Sequence, residues 1–372
     1  MRRLSSLVLA ICAIAVTATS AQAQLAPLSG FGTGGWLAPG AIPQLDTSNS
    51  QRGMAVVPTT GNIVLVDRDS TLGNNAYVLD GTTGAVTGTL TPPVGGYAGG
   101  TFVVNGAGAG TDGSIHVGNL VTSTASTFKV YSWASDSDFT TPATTSFSLA
   151  MSDPSWGGVN RVGDVFAATG SGSAVKWASS GSNSAAGTNS TFSVGTVNGT
   201  NTQTTYTAVP GTATASNGYR LGLSFIDSTS LIGTQGTELY TTDFSSSPTV
   251  QAGTISAAQR PVAYLNHAGI AYMATIDTNS SNVSVYNIQD PLNPVSLFTG
   301  NNTTGALSAN ANGTGGIGWG PSLGGDQYVL YAMSTNQGIQ GFVATVPEPA
   351  SFALLAVGAG AFQVIRRRRA AA

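Results

Sequence analysis

The stretch Gly53-Met-Ala-Val-Val-Pro-Thr-Thr-Gly-Asn-Ile-Val-Leu-Val-Asp67 is an apolar run, a turn at Pro58 to Gly61, and a second apolar run. Ala76-Tyr-Val-Leu-Asp-Gly-Thr-Thr-Gly-Ala-Val-Thr-Gly-Thr-Leu90 repeats the arrangement. Short β-branched runs bounded by Pro, Gly and Asp are what strands and tight turns require. Gly53 to Leu90 therefore reads as four antiparallel strands forming one unit. Working outward, similar units run over Thr101 to Trp133, Gly157 to Trp177, Leu221 to Thr242, Pro261 to Ile288 and Gly316 to Val343. No segment carries a long 3.6-residue apolar period, and Gly or Asn interrupts the chain every few residues. The class expected is all-β.

First strands are expected near Gly53, Phe102, Val159, Leu223, Val262 and Ile317, a mean spacing of about fifty residues. A unit of this size cannot bury both its faces alone, and packing such units around a ring leaves only short edges. The expected architecture is a six- or seven-bladed β-propeller. Six units are countable, and a seventh could come from Thr191 to Val209 or from Gly35 to Leu45. A pair of two-sheet sandwiches and a β-solenoid remain as alternatives. The first unit, with Pro58-Thr-Thr-Gly61 and Tyr77-Val-Leu-Asp-Gly-Thr-Thr-Gly84, resembles the NHL or YVTN class of propeller repeat. That resemblance implies a fold and no activity. Ser179 to Asn217, rich in Ser, Thr, Gly and Asn, reads as outer strands with long loops, and Asn301 to Gly316 as a surface loop.

Only 8% of the 372 residues are charged, Gly supplies 49 positions, and 41% are hydrophobic. The hydrophobic share is enough for a core, so general disorder is excluded. The two ends read as addressing segments. Arg2 and Arg3, the apolar Leu7 to Val16 and the small-x-small site Ala21-Gln22-Ala23 form a secretory signal over residues 1–23. Its apolar part is short for a membrane anchor, the competing reading. Cys12 is the only cysteine, so a chain cut after Ala23 has no disulfide and no thiolate ligand.

At the other end, Pro347-Glu348-Pro349 precedes an apolar run at 350–365 and the cluster Arg366, Arg367, Arg368 and Arg369. As a helix the run would be about 24 Å long, against a hydrocarbon core of about 30 Å, and flanking arginines can snorkel to extend its reach. They also hold that end in the cytoplasm and leave the preceding chain outside. A buried C-terminal helix is the competing reading. The triplet, apolar run and arginine cluster resemble the PEP-CTERM sorting tail of Gram-negative bacteria that make extracellular polysaccharide. The resemblance implies that residues 346–372 are a sorting tail with a transmembrane segment at 350–365, recognised at Pro347, Glu348 and Pro349 by a membrane-embedded exosortase. It further implies an inner-membrane-anchored precursor that ends at the cell surface or in the extracellular matrix.

Residues 24–345 are then the exported domain. Without the ends, 7 basic and 15 acidic residues remain, a net charge near −8. Such a surface disfavours nucleic acid and suits neutral glycans, cations or proteins. Catalysis needs titratable groups that converge, and this body has only His116, His267 and Glu238 besides its aspartates. Both histidines read as turn or sheet-surface residues; lining one channel, they could act as acid and base or bind a metal. Asp67 with Asp69, Asn74 and Asn75, and Asp136 with Asp138, could offer oxygens to calcium, but turns use the same residues. No phosphate-binding glycine loop or H-E-x-x-H occurs. Trp36, Trp133, Trp156, Trp177 and Trp319 could stack sugars, although Trp more often closes a blade core. The expectation is a non-enzymatic binding or scaffolding propeller with no cofactor, no metal and no nucleic-acid partner. Extracellular polysaccharide or surface proteins are its possible ligands, and the alternative is a propeller-fold polysaccharide lyase or hydrolase.

Overall fold

A computed structural model describes residues 24–69, 71–183, 188–207, 218–235, 237–246, 249–256 and 258–347. The signal segment, with Ala21 and Ala23, and the tail from Glu348, with Pro349 and Arg366 to Arg369, lie outside the described residues. Among the described residues no helix is long and apolar enough to cross a membrane.

The body is all-β and forms six antiparallel blades, five of four strands and one of five. Blade 1 holds β3 (Gln51–Val56), β4 (Ile63–Asp67), β5 (Asn75–Leu79) and β6 (Val86–Thr89). Blade 2 holds β7 (Phe102–Ala109), β8 (Ile115–Leu120), β9 (Thr127–Trp133) and β10 (Thr144–Ala150). Blade 3 holds β11 (Arg161–Thr169), β12 (Lys176–Asn183), β13 (Thr188–Thr196) and β14 (Gln203–Thr207). Blade 4 holds β15 (Gly222–Asp227), β16 (Ser230–Gln235), β17 (Glu238–Asp243) and β18 (Thr249–Thr254). Blade 5 holds β19 (Gln259–His267), β20 (Ile270–Asp277), β21 (Val283–Asn287) and β22 (Val295–Gly300). Blade 6 holds β23 (Gly315–Gly324), β24 (Gln327–Ser334) and β25 (Gly338–Thr345), with β1 (Gln24–Pro27) as its outer strand and the short β2 (Trp36–Leu37) also paired to β25.

Blade 6 closes the ring. β1 pairs with β25 from Gln24 opposite Thr345 to Pro27 opposite Phe342, so the two ends of the body share one sheet. The innermost strands β3, β7, β11, β15, β19 and β23 each touch the next, and β23 touches β3. A solenoid or sandwich pair would not make that closed circuit. The possible seventh blade does not form. Phe192 and Tyr206 belong to β13 and β14 of blade 3, and Gly35 to Leu45 lies against blade 6 through Trp36 opposite Gln340. The N-terminal closing strand satisfies the edge that a further blade would otherwise have to cover.

Local chemistry explains the turns. In Asp80-Gly-Thr-Thr-Gly84 the Asp80 carboxylate accepts from the amides of Thr82 (2.9 Å) and Thr83 (2.7 Å), and the Gly84 amide donates to the Asp80 carbonyl at 2.8 Å. Gly84 sits at φ +79°, open to Gly and strained for other residues. Alternation then builds the core. On β4, Val64 and Val66 pack toward blade 2, while Ile63 and Leu65 pack toward blade 6. Successive side chains point to opposite faces, and both faces are covered, which is why the strand reads as an unbroken apolar run. Hydrophobic clusters fill all six interblade junctions. Between blades 2 and 3, Trp177 is fully buried with its ring 5.2 Å from Phe128 and 4.8 Å from Phe147.

Beside the axis, β3 and β7 approach too closely at Gly53 for a side chain. A Cβ on Gly53 would lie 2.5 Å from the Asn105 carbonyl oxygen and 2.7 Å from the Gly106 Cα. The channel beyond is a slit of about 40 Å³ lined by Met54, Gly106, Phe166, Val262, Gly316 and others. The slit widens at its mouth into a larger recess.

Candidate functional site

The mouth lies at the start of the inner strands. Arg52 is the second residue of β3, Arg161 the first of β11, and Arg220 lies two residues before β15. Arg68 follows the end of β4, which runs antiparallel to β3 and so returns to the same end. The blades bring these four guanidiniums around a recess of about 420 Å³ that also includes Phe102, Asn105, Asp164, Asn312 and Thr314. Four of the seven basic residues of an acidic body thus converge on one mouth.

One carboxylate answers them. Asp164 is gripped by Arg161 through Nε and Nη2, both at 2.5 Å, and Arg220 Nε stands 3.5 Å from its Oδ2. Arg52 donates to the Asn49 carbonyl (2.9 Å) and to Thr314 Oγ1 (2.7 Å). Arg68 donates to Asn105 Oδ1 at 2.8 Å, and its Cζ lies 3.7 Å over the Phe102 ring. Burial pushes the Arg68 guanidinium down to about 9, with repulsion from Arg52 adding to the effect. It remains charged at neutral pH. Arg68 Nε is buried with no hydrogen-bond partner, and Arg220 Nε, also buried, meets Asp164 only at ion-pair distance. The mouth is a set of like charges held together with donors to spare.

The residues expected to carry chemistry do not meet there. His116 lies on β8 of blade 2 and His267 ends β19 of blade 5. His116 is not a surface residue: it is 2% exposed, and burial pushes its imidazole down to about 4. Its Nδ1 and Nε2 lie 2.7 Å from Ser132 Oγ and 3.0 Å from Ser114 Oγ, and Ser114 donates to Asp112 at 2.6 Å. This relay borders a pocket of about 370 Å³ on blade 2, away from the mouth. His267 is half-buried, with Nδ1 2.9 Å from the Tyr328 hydroxyl.

The carboxylate pairs serve the fold. Asp67 accepts from Gln51 Nε2 (3.1 Å) and the Asp69 amide (3.0 Å), and Asp69 caps the amides of Thr71 and Leu72. Asn75 donates to the Leu72 carbonyl. Asp136 ties blade 2 to blade 1 by accepting from Thr60 (2.6 Å) and Asn62 (2.8 Å), while Asp138 caps Thr140 and Thr141. Among the described residues no group of three or more His, Cys, Asp or Glu stands together. Trp133, Trp156 and Trp177 are buried in interblade cores, and Trp36 and Trp319 are half-buried with their ring N–H groups on backbone carbonyls.

The sorting junction is built into blade 6. Val346 is fully buried, its amide donates to the Asp326 carbonyl at 2.9 Å, and the buried Tyr272 hydroxyl donates to the Pro347 carbonyl at 2.6 Å. The fold therefore extends to the first residue of the Pro-Glu-Pro triplet.

Fold and tail together define a six-bladed β-propeller that carries a sorting signal. Residues 345–369 match the PEP-CTERM protein-sorting motif. That motif implies an exported precursor, held at the membrane and recognised by an exosortase. No curated protein sequence matches the chain. Among solved structures, a DUF4623 family protein from Bacteroides eggerthii is similar at a TM-score of 0.59 and 16% identity, over 81% of this chain and 72% of that one. An α-L-arabinanase from Penicillium chrysogenum, complexed with arabinobiose, is similar at a TM-score of 0.50 and 9% identity, over 87% of this chain and 98% of that one. At these identities the likeness is one of fold.

Proposed function

We propose that the chain is a surface-displayed binding propeller that performs no chemistry of its own and presents its channel mouth to a ligand outside the cell. The observation that carries this reading is the mouth itself. Its charged groups are guanidiniums, which are fixed donors and poor proton carriers, and its one carboxylate is already gripped by Arg161. General acid–base work would need a titratable group free near neutral pH. Delivery by the sorting tail to the cell surface or matrix accords with such a role.

The test is a matrix and glycan pull-down with the purified protein, alongside fractionation of the producing cells. Retention on surface or matrix material, with the ligand recovered intact, is expected. Consistent absence from surface and matrix fractions overturns the reading. A hydrolase reading draws on one observation, the Asp112–Ser114–His116–Ser132 relay beside the blade 2 pocket. Polysaccharide breakdown by the parent that is abolished in His116→Ala would establish it in place of the binding role.

A further inference from the structure

The mouth also carries information about its ligand, on the understanding that the binding role holds. Its four guanidiniums face one carboxylate, leaving an excess of three positive charges in the recess. Each guanidinium presents five N–H donors in a planar fork, a shape that meets a carboxylate through two parallel hydrogen bonds. Asp164 demonstrates this in the structure, since Arg161 holds it with two contacts at 2.5 Å. Among the described residues Arg52 and Arg68 have no carboxylate partner, and Arg220 shares Asp164 only at ion-pair distance, 3.5 Å from Nε to Oδ2.

The rest of the lining is uncharged, polar groups alternating with Leu120, Leu221 and Ala311. The Asn105 and Asn312 amides and the Thr314 hydroxyl border the same space, and Phe102 is 41% exposed beside them. Amides and hydroxyls beside an aromatic edge suit a hydroxylated ring, with its polar rim and apolar face. Outside the recess the body is acidic, so a densely charged polymer such as nucleic acid is repelled where one isolated anion is not. A recess of about 420 Å³ is in the range for one or two sugar rings.

We propose that the mouth binds an acidic sugar residue of a largely neutral glycan, seating its uronate carboxylate at Arg68, Arg220 and Arg52 and its hydroxyls on Asn312 and Thr314. The carboxylate meets the guanidinium edges that face the recess and offsets the repulsion between Arg52 and Arg68. Neutral neighbouring sugars extend toward solvent.

The experiment is calorimetric titration of the purified full chain in detergent with glucuronosyl-xylotriose, xylotriose and inorganic phosphate as probes. The acidic oligosaccharide is expected to bind at least about tenfold more tightly than xylotriose, because a charge-assisted pair contributes that much or more. Raising the salt concentration weakens that preference. Arg68→Gln and Arg220→Gln each reduce binding by about tenfold or more, while Lys176→Gln at the start of β12, outside the recess, leaves it unchanged. Thermal melts establish that the variants are folded. Should either variant fail to fold, the acidic-to-neutral ratio of the parent and its salt dependence decide the matter.

Equal binding of the acidic and neutral oligosaccharides overturns the proposal. So does undiminished binding by both folded arginine variants, or tighter binding of inorganic phosphate than of the acidic sugar. No binding of any probe refutes the acidic-sugar site and leaves the surface role to its own pull-down assay. Shortening of the acidic oligosaccharide by the parent refutes the non-catalytic reading, while its arginine-dependent binding still bears out the site.

Discussion

Replacing Asp67 by Asn should change how stability depends on pH between about 4 and 7. Asp67 closes β4 with no exposed surface, and its Oδ2 has no hydrogen-bond partner. Burial pushes its carboxyl up from 3.8 to about 6, with Asp69 and Asp46 adding to the shift and the Asp69 amide and Gln51 opposing it. A raised carboxyl makes the folded state hold its proton more tightly. Its contribution is full below 3.8, declines as pH rises and is gone above about 6. The shift corresponds to about 3 kcal/mol.

His116 acts in the opposite direction. Its imidazole is pushed from 6.5 down to about 4, so the unfolded chain takes up a proton that the fold refuses. Stability therefore rises by about 3 kcal/mol as pH climbs through that window. In the parent the two slopes nearly cancel. In Asp67→Asn only the histidine slope remains, and the variant gains about 3 kcal/mol relative to the parent between pH 4 and 7. Asp69, Asp112, Asp138, Asp153, Asp243 and Asp290 have lowered carboxyls, whose effects fall below 3.8, outside this interval. Urea unfolding followed by tryptophan fluorescence at several pH values supplies the comparison. A difference between variant and parent that stays constant to within about 0.5 kcal/mol across the interval would refute the assignment of a buried, proton-holding Asp67.

Three further outcomes follow from the packing. Trp177→Ala should cost about 3–5 kcal/mol, because the ring fills the junction between blades 2 and 3 against Phe128 and Phe147; denaturant unfolding measures it, and a loss under about 1 kcal/mol would contradict the packing. Gly53→Ala should cost about 1–3 kcal/mol in the same assay, since the added methyl meets backbone atoms of β7 that cannot rotate away. Mass spectrometry of the protein processed in its own host should place any new C-terminus at Pro347 or later, because Val346 and the Pro347 carbonyl are held at the junction of blades 5 and 6. An end before Val346 would mean that processing precedes folding of that edge.

Much of the fold is legible because it is local. Asp80 and Gly84 set their turn from within five residues, and the apolar run Ile63 to Val66 announces a strand covered on both faces. The inner strands begin within a few residues of the positions expected from spacing alone, and the linear Pro-Glu-Pro tail needs no fold to be recognised. Blade number was not legible. Whether Gly35 to Leu45 makes a blade or lies on one depends on the pairing of β1 with β25, residues more than three hundred positions apart.

The arginine mouth was missed for the same reason, although a signal was present. Arg52-Gly53, Arg161-Val-Gly163 and Arg220-Leu-Gly222 place an arginine just before a glycine at the start of blades 1, 3 and 4, and Arg260 stands before Pro261 at the start of blade 5. Read as a repeat position rather than as scattered charge, they would have pointed to one end of the channel. The amino-acid order alone determined strands, turns, repeating units and the sorting address, since each is specified by neighbours along the chain. Ring closure decided the number of blades, the narrowness of the axis and the convergence of four guanidiniums. Those depend on distances between units, and a charge becomes part of a site only when packing brings distant residues to the same mouth.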